Sequence, residues 1–480
     1  MRESILSTER SRRLLVVHTI WLTMLAALLV RLFWLALSPA GVVDHGARAG
    51  GGRWRIDEEH FRTAMIDDGR GVVRFRDGTP WSVRRTGREL APELLGTIGK
   101  PDVWPSRQRV VAEQGRGGVE EAYDDLLRGT RPGLTGRLEM PDGMPQAAGA
   151  PGKTFEIASV PGDDLVTSID ARLQSKAEQL LLEAGVHHGS IVDLAAKSHE
   201  ILAMASADHR DRSDALTAVA PGSVYKLITA AAAIDSHTVT TGTHFVCDGV
   251  VHIPHVSMRC WRAHGPLDIV QAIAQSCDST FARIGVEMGR VPFERMSERF
   301  GLGRTGLDSL AHRTVHADVA VVFRTAGEDA GLLANTAIGQ EDVRVTPLQG
   351  ALLASVIAED GVYRPARLAI GVSRGGSTHK FAQAKASRAC SGFAASVIGT
   401  GMWQAVHDPR GTLYALHEFP VAAKSGTAEL PDGRVNAWLV GYRLRDGKPT
   451  DEFAISVVDE VSWQAHRDLI QLAKGWLGAL

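Results

Sequence analysis

The 480-residue sequence predicts an α+β protein with one membrane-spanning helix, a small N-terminal module and a large domain whose strands come early and late, with helices between. Three observations carry this. Residues 14–37 are a long apolar run, helical and strand-like periods succeed one another after Pro161, and three strand-like segments split by short turns crowd the C-terminal end. Composition agrees with a globular chain: 44% hydrophobic, 22% charged, formal net charge −2. That balance gives nucleic-acid binding no electrostatic support and removes it from consideration.

Residues 1–13 hold four arginines against two glutamates. Residues 14–37, "LLVVHTIWLTMLAALLVRLFWLAL", are apolar apart from His18, Thr19, Thr23 and Arg31. As a helix they span roughly 36 Å, enough to cross a bilayer. The run exceeds the roughly 7–15 apolar residues of a cleavable signal, so a retained anchor is expected, with "SPAG" after Leu37 as the alternative cleavage point. The arginines lie before the helix, which places residues 1–13 in the cytoplasm and the chain after Leu37 outside the membrane. Arg31, near Trp34, reads as a snorkelling side chain or as a polar contact with a membrane partner.

Residues 41–54 are glycine-rich and read as a tether. Residues 38–160 as a whole are expected to be tether plus a reduced N-terminal module, and 161–480 the large domain. "PGKTFEIASVPGDD" (151–164) has the alternation of a linker strand between Pro-Gly pairs. "DARLQSKAEQLLLEAG" (170–185) opens on an aspartate cap, keeps helical period and ends at glycine. "GSIVDLAAKSHEILAMAS" (189–206) predicts two strands joined by a turn. "VAAKSGTAEL", "VNAWLVGYRL" and "EFAISVVDEV", separated by "PDGR" and "RDGK", predict an antiparallel meander, and "QAHRDLIQLAKGWLGAL" a closing amphipathic helix. The four cysteines, Cys247, Cys260, Cys277 and Cys390, show no C-x-x-C pair, so no metal site is expected. Cys247 and Cys260 either bridge in an oxidising compartment or stand as free thiols.

The chemistry lies in "PGSVYKLITAAAAID" (221–235). Ser223 is expected in the first turn of a helix, where free backbone N–H groups and the macrodipole favour developing negative charge. Lys226, three residues on, shares its face and accepts the serine proton if burial or nearby positive charge keeps it neutral. Two further pieces give the pattern weight. Ser276 in "QSCDSTF" is a proton-relay candidate beside Asp278, and "KSGT" places Lys424, Ser425, Gly426 and Thr427 on an edge strand. There Lys424 adds positive potential and grips a carboxylate. Gly426 allows a substrate backbone to approach. The N–H groups of Ser223 and Thr427 are the candidate oxyanion hole.

With these residues in this order, the chain from residue 161 onward resembles the penicillin-binding proteins, specifically the monofunctional class B DD-transpeptidases. "SHEILAMAS", "CDGVV…MRCW" (247–261) and "NTAIGQEDVRVTPLQGALLASVIAEDGV" (335–362) are similar to stretches of that family. So are "GRGGVEEAYDDLLRGTRPG" (115–133) and, in degraded form, "RGVVRFRDGTPWSV" (70–83). The resemblance implies a penicillin-binding transpeptidase fold: a five-stranded antiparallel sheet flanked by helices, with the site at its edge. It also implies that Ser223 attacks the penultimate D-alanine carbonyl of a peptidoglycan stem peptide ending in D-Ala-D-Ala. The terminal D-alanine leaves, and an amine of a neighbouring stem resolves the acyl-enzyme. Lys226 is then the general base, Ser276 the relay, and Lys424, Ser425 and Thr427 the carboxylate grip. β-Lactams acylate the same serine, no cofactor is needed, and a SEDS-type membrane glycosyltransferase is the implied partner.

Three departures from the family pattern stand out. Asp278 occupies a position where asparagine is common, and is expected to pair with one lysine while Lys424 opposes charge on the other. Glu341 replaces an expected glycine after "IGQ". The segment between membrane and large domain is short for the class. Two other readings share the motifs: a β-lactam-hydrolysing or sensing relative, and a catalytically silent envelope scaffold.

Overall fold

The computed structural model describes residues 61–480 except 68, 82–89, 100–113, 132, 139–153, 208–212, 255, 309–316 and 323–328. The expected tail, the anchor at 14–37 and the tether at 41–54 lie outside the described residues. Among the described residues no helix is long and apolar enough to cross a membrane. Arg62–Leu480 form one unit.

Helix α1 (Ala171–Ala184) starts where the aspartate predicts: the Asp170 carboxylate accepts from the N–H groups of Arg172 and Leu173, and Gly185, at φ 65°, closes the last turn. Strands β1 (Gly189–Ala195) and β2 (Ile201–Ser206) follow as an antiparallel pair. The helical middle contains α2 (Lys226–Asp235), α3 (Asp278–Met288), α4 (Pro347–Ala358) and α5 (Gly392–His407). The meander is β3 (Val421–Glu429), β4 (Arg434–Arg445) and β5 (Lys448–Val461), closed by α6 (Ser462–Leu477).

These five strands make one sheet in the order β3-β4-β5-β1-β2, antiparallel throughout. The earliest hairpin therefore docks against the last strand, and β3 is left at an edge. Side-chain alternation sorts the two faces. Ala423, Leu439 and Ile455 pack with Leu181 of α1 and with Leu472 and Trp476 of α6. Their neighbours Ala422, Trp438, Val440 and Ala454 pack on the other side with Leu227 of α2 and Leu352 of α4. Helix α4 is buried from Pro347 to Ile357, so its sequence is apolar on every side rather than striped. A capping box of Thr346 and Gln349 with proline in the first turn fixes its start.

Upstream, Phe61–Asp67, Gly133–Leu138 and Thr154–Ile157 form a three-stranded sheet, the last being the expected linker strand. Val73–Arg74 pairs in parallel with Asp164–Thr167. The two N-terminal stretches singled out in the sequence meet through Arg70, which binds Glu120 at 2.7 Å and Asp124 at 2.6 Å. The arginine side chain is buried, so its charge rests on those carboxylates.

Candidate active site

Ser223 sits in a single 3-10 turn, Gly222–Tyr225, and the regular helix begins only at Lys226. The sequence expectation of one helix starting at the serine is corrected here, and local packing explains the change. Gly222 has φ 54°, and a Cβ there would lie 2.2 Å from the Thr427 carbonyl oxygen; one on Gly426 would lie 2.4 Å from the Pro221 carbonyl oxygen. The serine turn and β3 are thus pressed together through two glycines. The indole N–H of Trp438 on β4 donates to the Ala220 carbonyl at 3.0 Å, and the Gly222 N–H to the Gly339 carbonyl at 3.0 Å.

Lys226 and Lys424 are both fully buried and converge on one hydroxyl. Lys226 Nζ donates to Ser276 Oγ at 3.3 Å and to the Ser276 carbonyl at 2.9 Å. Lys424 Nζ donates to Ser276 Oγ at 2.8 Å and to the Ser425 carbonyl at 2.7 Å. Asp278 completes the cluster, its Oδ1 lying 2.6 Å from Lys226 Nζ. The pairing expected of Asp278 is therefore made with Lys226. The lysine whose charge is suppressed is Lys424: burial, then the charge of Lys226, hold it well below the usual lysine range, with Asp278 opposing them. The expected direct contact of Lys226 with Ser223 is not made. Among the described residues the Ser223 hydroxyl has no hydrogen-bond partner and faces a cleft of about 870 Å³.

Ser276 reaches both lysines from a left-handed backbone, φ 53°, a conformation that costs about 1–3 kcal/mol outside glycine and is retained where surroundings impose it. Ser425, Gly426 and Thr427 line the same cleft, together with Met258, Trp261 and Ile338. The Ser425 hydroxyl donates to Thr412 Oγ1 at 2.9 Å. His466 of α6 is a cleft residue that the sequence reading missed. Its Nδ1 lies 2.6 Å from the Ser462 carbonyl, which only an N–H can satisfy, so in the neutral ring Nε2 is the acceptor that faces the Thr427 hydroxyl at 3.0 Å. Nothing near "KSGT" in the chain signals it; its only mark is an exposed histidine in the first turn of the closing helix. Gln340 was also missed; its Nε2 donates to the Thr427 carbonyl at 3.3 Å.

All eight sequence-predicted site residues are thereby brought to one edge of the sheet. The glycine expected where Glu341 stands has a backbone reason, since Glu341 has φ 56°. Its carboxylate accepts from Asn335, a cleft residue, at 3.1 Å. The bridge left open between Cys247 and Cys260 is not formed, and all four cysteines are free. Among the described residues one group has metal-donor chemistry: Cys247, Cys260, His264 and Cys277.

Residues 189–460, more than half of the chain, match the family described as "Penicillin binding protein transpeptidase domain". This chain belongs to that family. The penicillin-binding transpeptidase domain here is similar to Stage V sporulation protein D of Bacillus subtilis (strain 168), at 27% identity over 283 residues, covering 53% of this chain and 42% of the relative. It is also similar to Peptidoglycan D,D-transpeptidase MrdA of Escherichia coli (strain K12), at 23% identity over 386 residues, covering 71% of this chain and 59% of that one. The chain thus spans about half the length of the curated relatives it matches. Pseudomonas aeruginosa PBP2, solved in complex with WCK 5153, shares the fold at TM-score 0.68 and 21% identity, covering 87% of this chain and 97% of that one. A chain of a peptidoglycan synthase complex that coordinates polymerization and crosslinking aligns at TM-score 0.72 and 21% identity over 98% of this chain and 99% of its own length.

Proposed function

We propose that the protein is a peptidoglycan DD-transpeptidase that cross-links stem peptides through an acyl-Ser223 intermediate. The observation that carries the reading is the meeting of Lys226 and Lys424 at the Ser276 hydroxyl, beneath a cleft that Ser223 faces. A buried serine hydroxyl between two lysines, one with suppressed charge, is a proton path rather than a stabilising device, because burying like charges together destabilises the fold.

In this reading the Ser223 oxygen bonds to the carbonyl carbon of the penultimate D-alanine. Lys226, charged beside Asp278, gives a proton to Ser276 as Ser276 gives its own to neutral Lys424; the freed Lys226 amine takes the Ser223 proton, and both lysines end as ammonium. The tetrahedral intermediate holds its negative oxygen at the N–H groups of Ser223 and Thr427. The C–N bond then breaks, the proton returns along the same path to the leaving D-alanine amine, and an amine of a second stem attacks the ester. The substrate carboxylate is held by Ser425 and Thr427, with Lys424 beneath them supplying positive potential. The free edge of β3 takes the donor peptide as an added strand. Penicillins enter the same site.

The apolar run at 14–37 and the arginines before it support a single-pass anchor with the N-terminus in the cytoplasm and the transpeptidase domain outside the membrane. Likeness to a chain of a peptidoglycan synthase complex supports a SEDS-type membrane glycosyltransferase as partner.

The test is turnover of a stem peptide ending in D-Ala-D-Ala with a labelled D-amino acid as acceptor. Release of D-alanine with label incorporation, both lost in Ser223→Ala, supports the reading. Absence of both from folded protein that has an acylable serine refutes the cross-linking role and favours the hydrolysing or sensing alternative.

A further inference from the structure

The cleft holds two charges that the reaction does not use. Of its lining residues, Arg259, Asp278, Glu429 and His466 carry ionisable side chains. Asp278 is bound to Lys226 at 2.6 Å, and His466 faces the Thr427 hydroxyl. Arg259, the last residue of the hairpin strand Val256–Arg259, and Glu429, the last residue of β3, are both exposed. Among the described residues neither has an ion-pair or side-chain hydrogen-bond partner, and they do not pair with each other.

We propose that Arg259 and Glu429 read the third residue of the donor stem, the one before D-Ala-D-Ala, and select a diamino acid whose far end keeps both an ammonium and a carboxylate. This rests on the transpeptidase reading of the cleft given above.

Burial sets the direction in which the donor peptide runs. Residues 421–424 of β3 are buried one after another, whereas Ser425, Thr427 and Glu429 reach the surface. A peptide whose terminal carboxylate is held at Ser425 and Thr427 therefore extends toward Glu429. These three residues stand at alternate positions and share one face of the strand, with Glu429 about 7 Å past Thr427. With the scissile carbonyl at the Thr427 N–H, the residue before the D-alanine pair lies about 3–4 Å further along, between Thr427 and Glu429. Its side chain is then the part of the donor that meets the two charges.

Charge sets what that side chain must carry. A lysine side chain answers Glu429 and leaves Arg259 uncompensated, and a plain carboxylate does the reverse. Because Arg259 and Glu429 stand on separate elements, one group bearing both charges can engage both at once. Like charge also opposes the wrong arrangement, a carboxylate at Glu429 or an ammonium at Arg259. The walls of the cleft include Met258, Ile338, Leu469 and Ile470, an apolar surface that suits the methylene chain joining the two ends of a diamino acid.

The experiment is competition. Pentapeptides ending in D-Ala-D-Ala and differing only at the third residue are compared for how well they slow labelling of the full-length chain, in detergent, by a fluorescent penicillin. The third residue is meso-diaminopimelate, with both charges, L-lysine, with the ammonium alone, or 2-aminopimelate, with the carboxylate alone. The diaminopimelate peptide should act at about 3–5-fold lower concentration than either single-charge peptide, the effect expected of one partly exposed ion pair. The advantage should shrink in high salt. Arg259→Gln should abolish the advantage over lysine and keep the one over 2-aminopimelate, and Glu429→Gln should do the reverse. Equal potency of the three peptides on the wild type, a preference for lysine, or advantages that survive both substitutions overturn the proposal, while penicillin labelling still supports the reading of the site. If folded protein is not labelled by penicillin at all, that reading fails and the proposal fails with it.

Discussion

Replacing Asp278 by asparagine keeps the shape of the side chain and removes one negative charge from the two-lysine centre. The 3.3 and 2.8 Å bonds that meet at Ser276 Oγ place the two lysine nitrogens no more than about 6 Å apart. At an effective dielectric constant near 20, unit charges about 6 Å apart repel by about 2.8 kcal/mol, or roughly two pKa units. In the wild type Asp278 offsets that repulsion, since it is the one named influence that raises Lys424 against burial and the charge of Lys226. Without it, Lys424 gives up its proton at lower pH, and the lysine pair holds a neutral member further into the acid range. The acid limb of serine acylation in Asp278→Asn is therefore expected to move to lower pH by about 1–2 units. The assay is the second-order rate of labelling by a fluorescent penicillin, followed from mildly acidic to neutral pH in both proteins. An acid limb that stays in place, or moves to higher pH, refutes the argument that Asp278 sets the charge of the pair.

Three other perturbations have definite outcomes. In Gly222→Ala the new Cβ meets the Thr427 carbonyl at 2.2 Å from a φ of 54°; the left-handed backbone alone should cost about 1–2 kcal/mol, and acylation should fall further than the Tm suggests because the serine turn moves off β3. His466→Ala removes the acceptor that orients Thr427; losing one hydrogen bond of about 0.5–1.5 kcal/mol should slow acylation about 2–10-fold, with the Tm unchanged because His466 is exposed. Glu452 is buried with both carboxyl oxygens lacking a hydrogen bond, and burial followed by the charges of Glu359 and Asp451 raises it well above the usual range. A raised folded-state value stabilises the protonated fold, and this contribution is lost as pH rises from the unfolded value toward the folded one. The advantage of Glu452→Gln in urea unfolding should therefore grow above about pH 4.3, by about 1.4 kcal/mol per unit until the folded value is passed. An advantage that does not change with pH would mean that the carboxyl is solvated.

The candidate site residues were legible because each motif is compact and made of few residue types: serine and lysine one turn apart, serine two residues before aspartate, lysine-serine-glycine-threonine on an alternating strand. The sheet was legible from that alternation and from the turns "PDGR" and "RDGK". What stayed hidden depends on contacts between distant segments. Lys226 was expected at Ser223 because both sit on one helical turn, yet Ser276 and Asp278, some fifty residues away, claim its ammonium. The left-handed backbone of Ser276 and Glu341 has no glycine at either position to announce it. His466 reaches Thr427 only because α6 returns across the sheet. The cysteine-histidine group escaped for the same reason, its members being joined by strand pairing rather than by spacing.

The most direct test of the central claim is the mass of the intact protein after exposure to a penicillin, with peptide mapping, for wild type and Ser223→Ala. The account predicts one penicillin equivalent, located on the peptide that contains Ser223, persistent over the measurement and absent from the variant. No adduct on folded wild-type protein, an adduct that survives in Ser223→Ala, or one that is lost within minutes would contradict it.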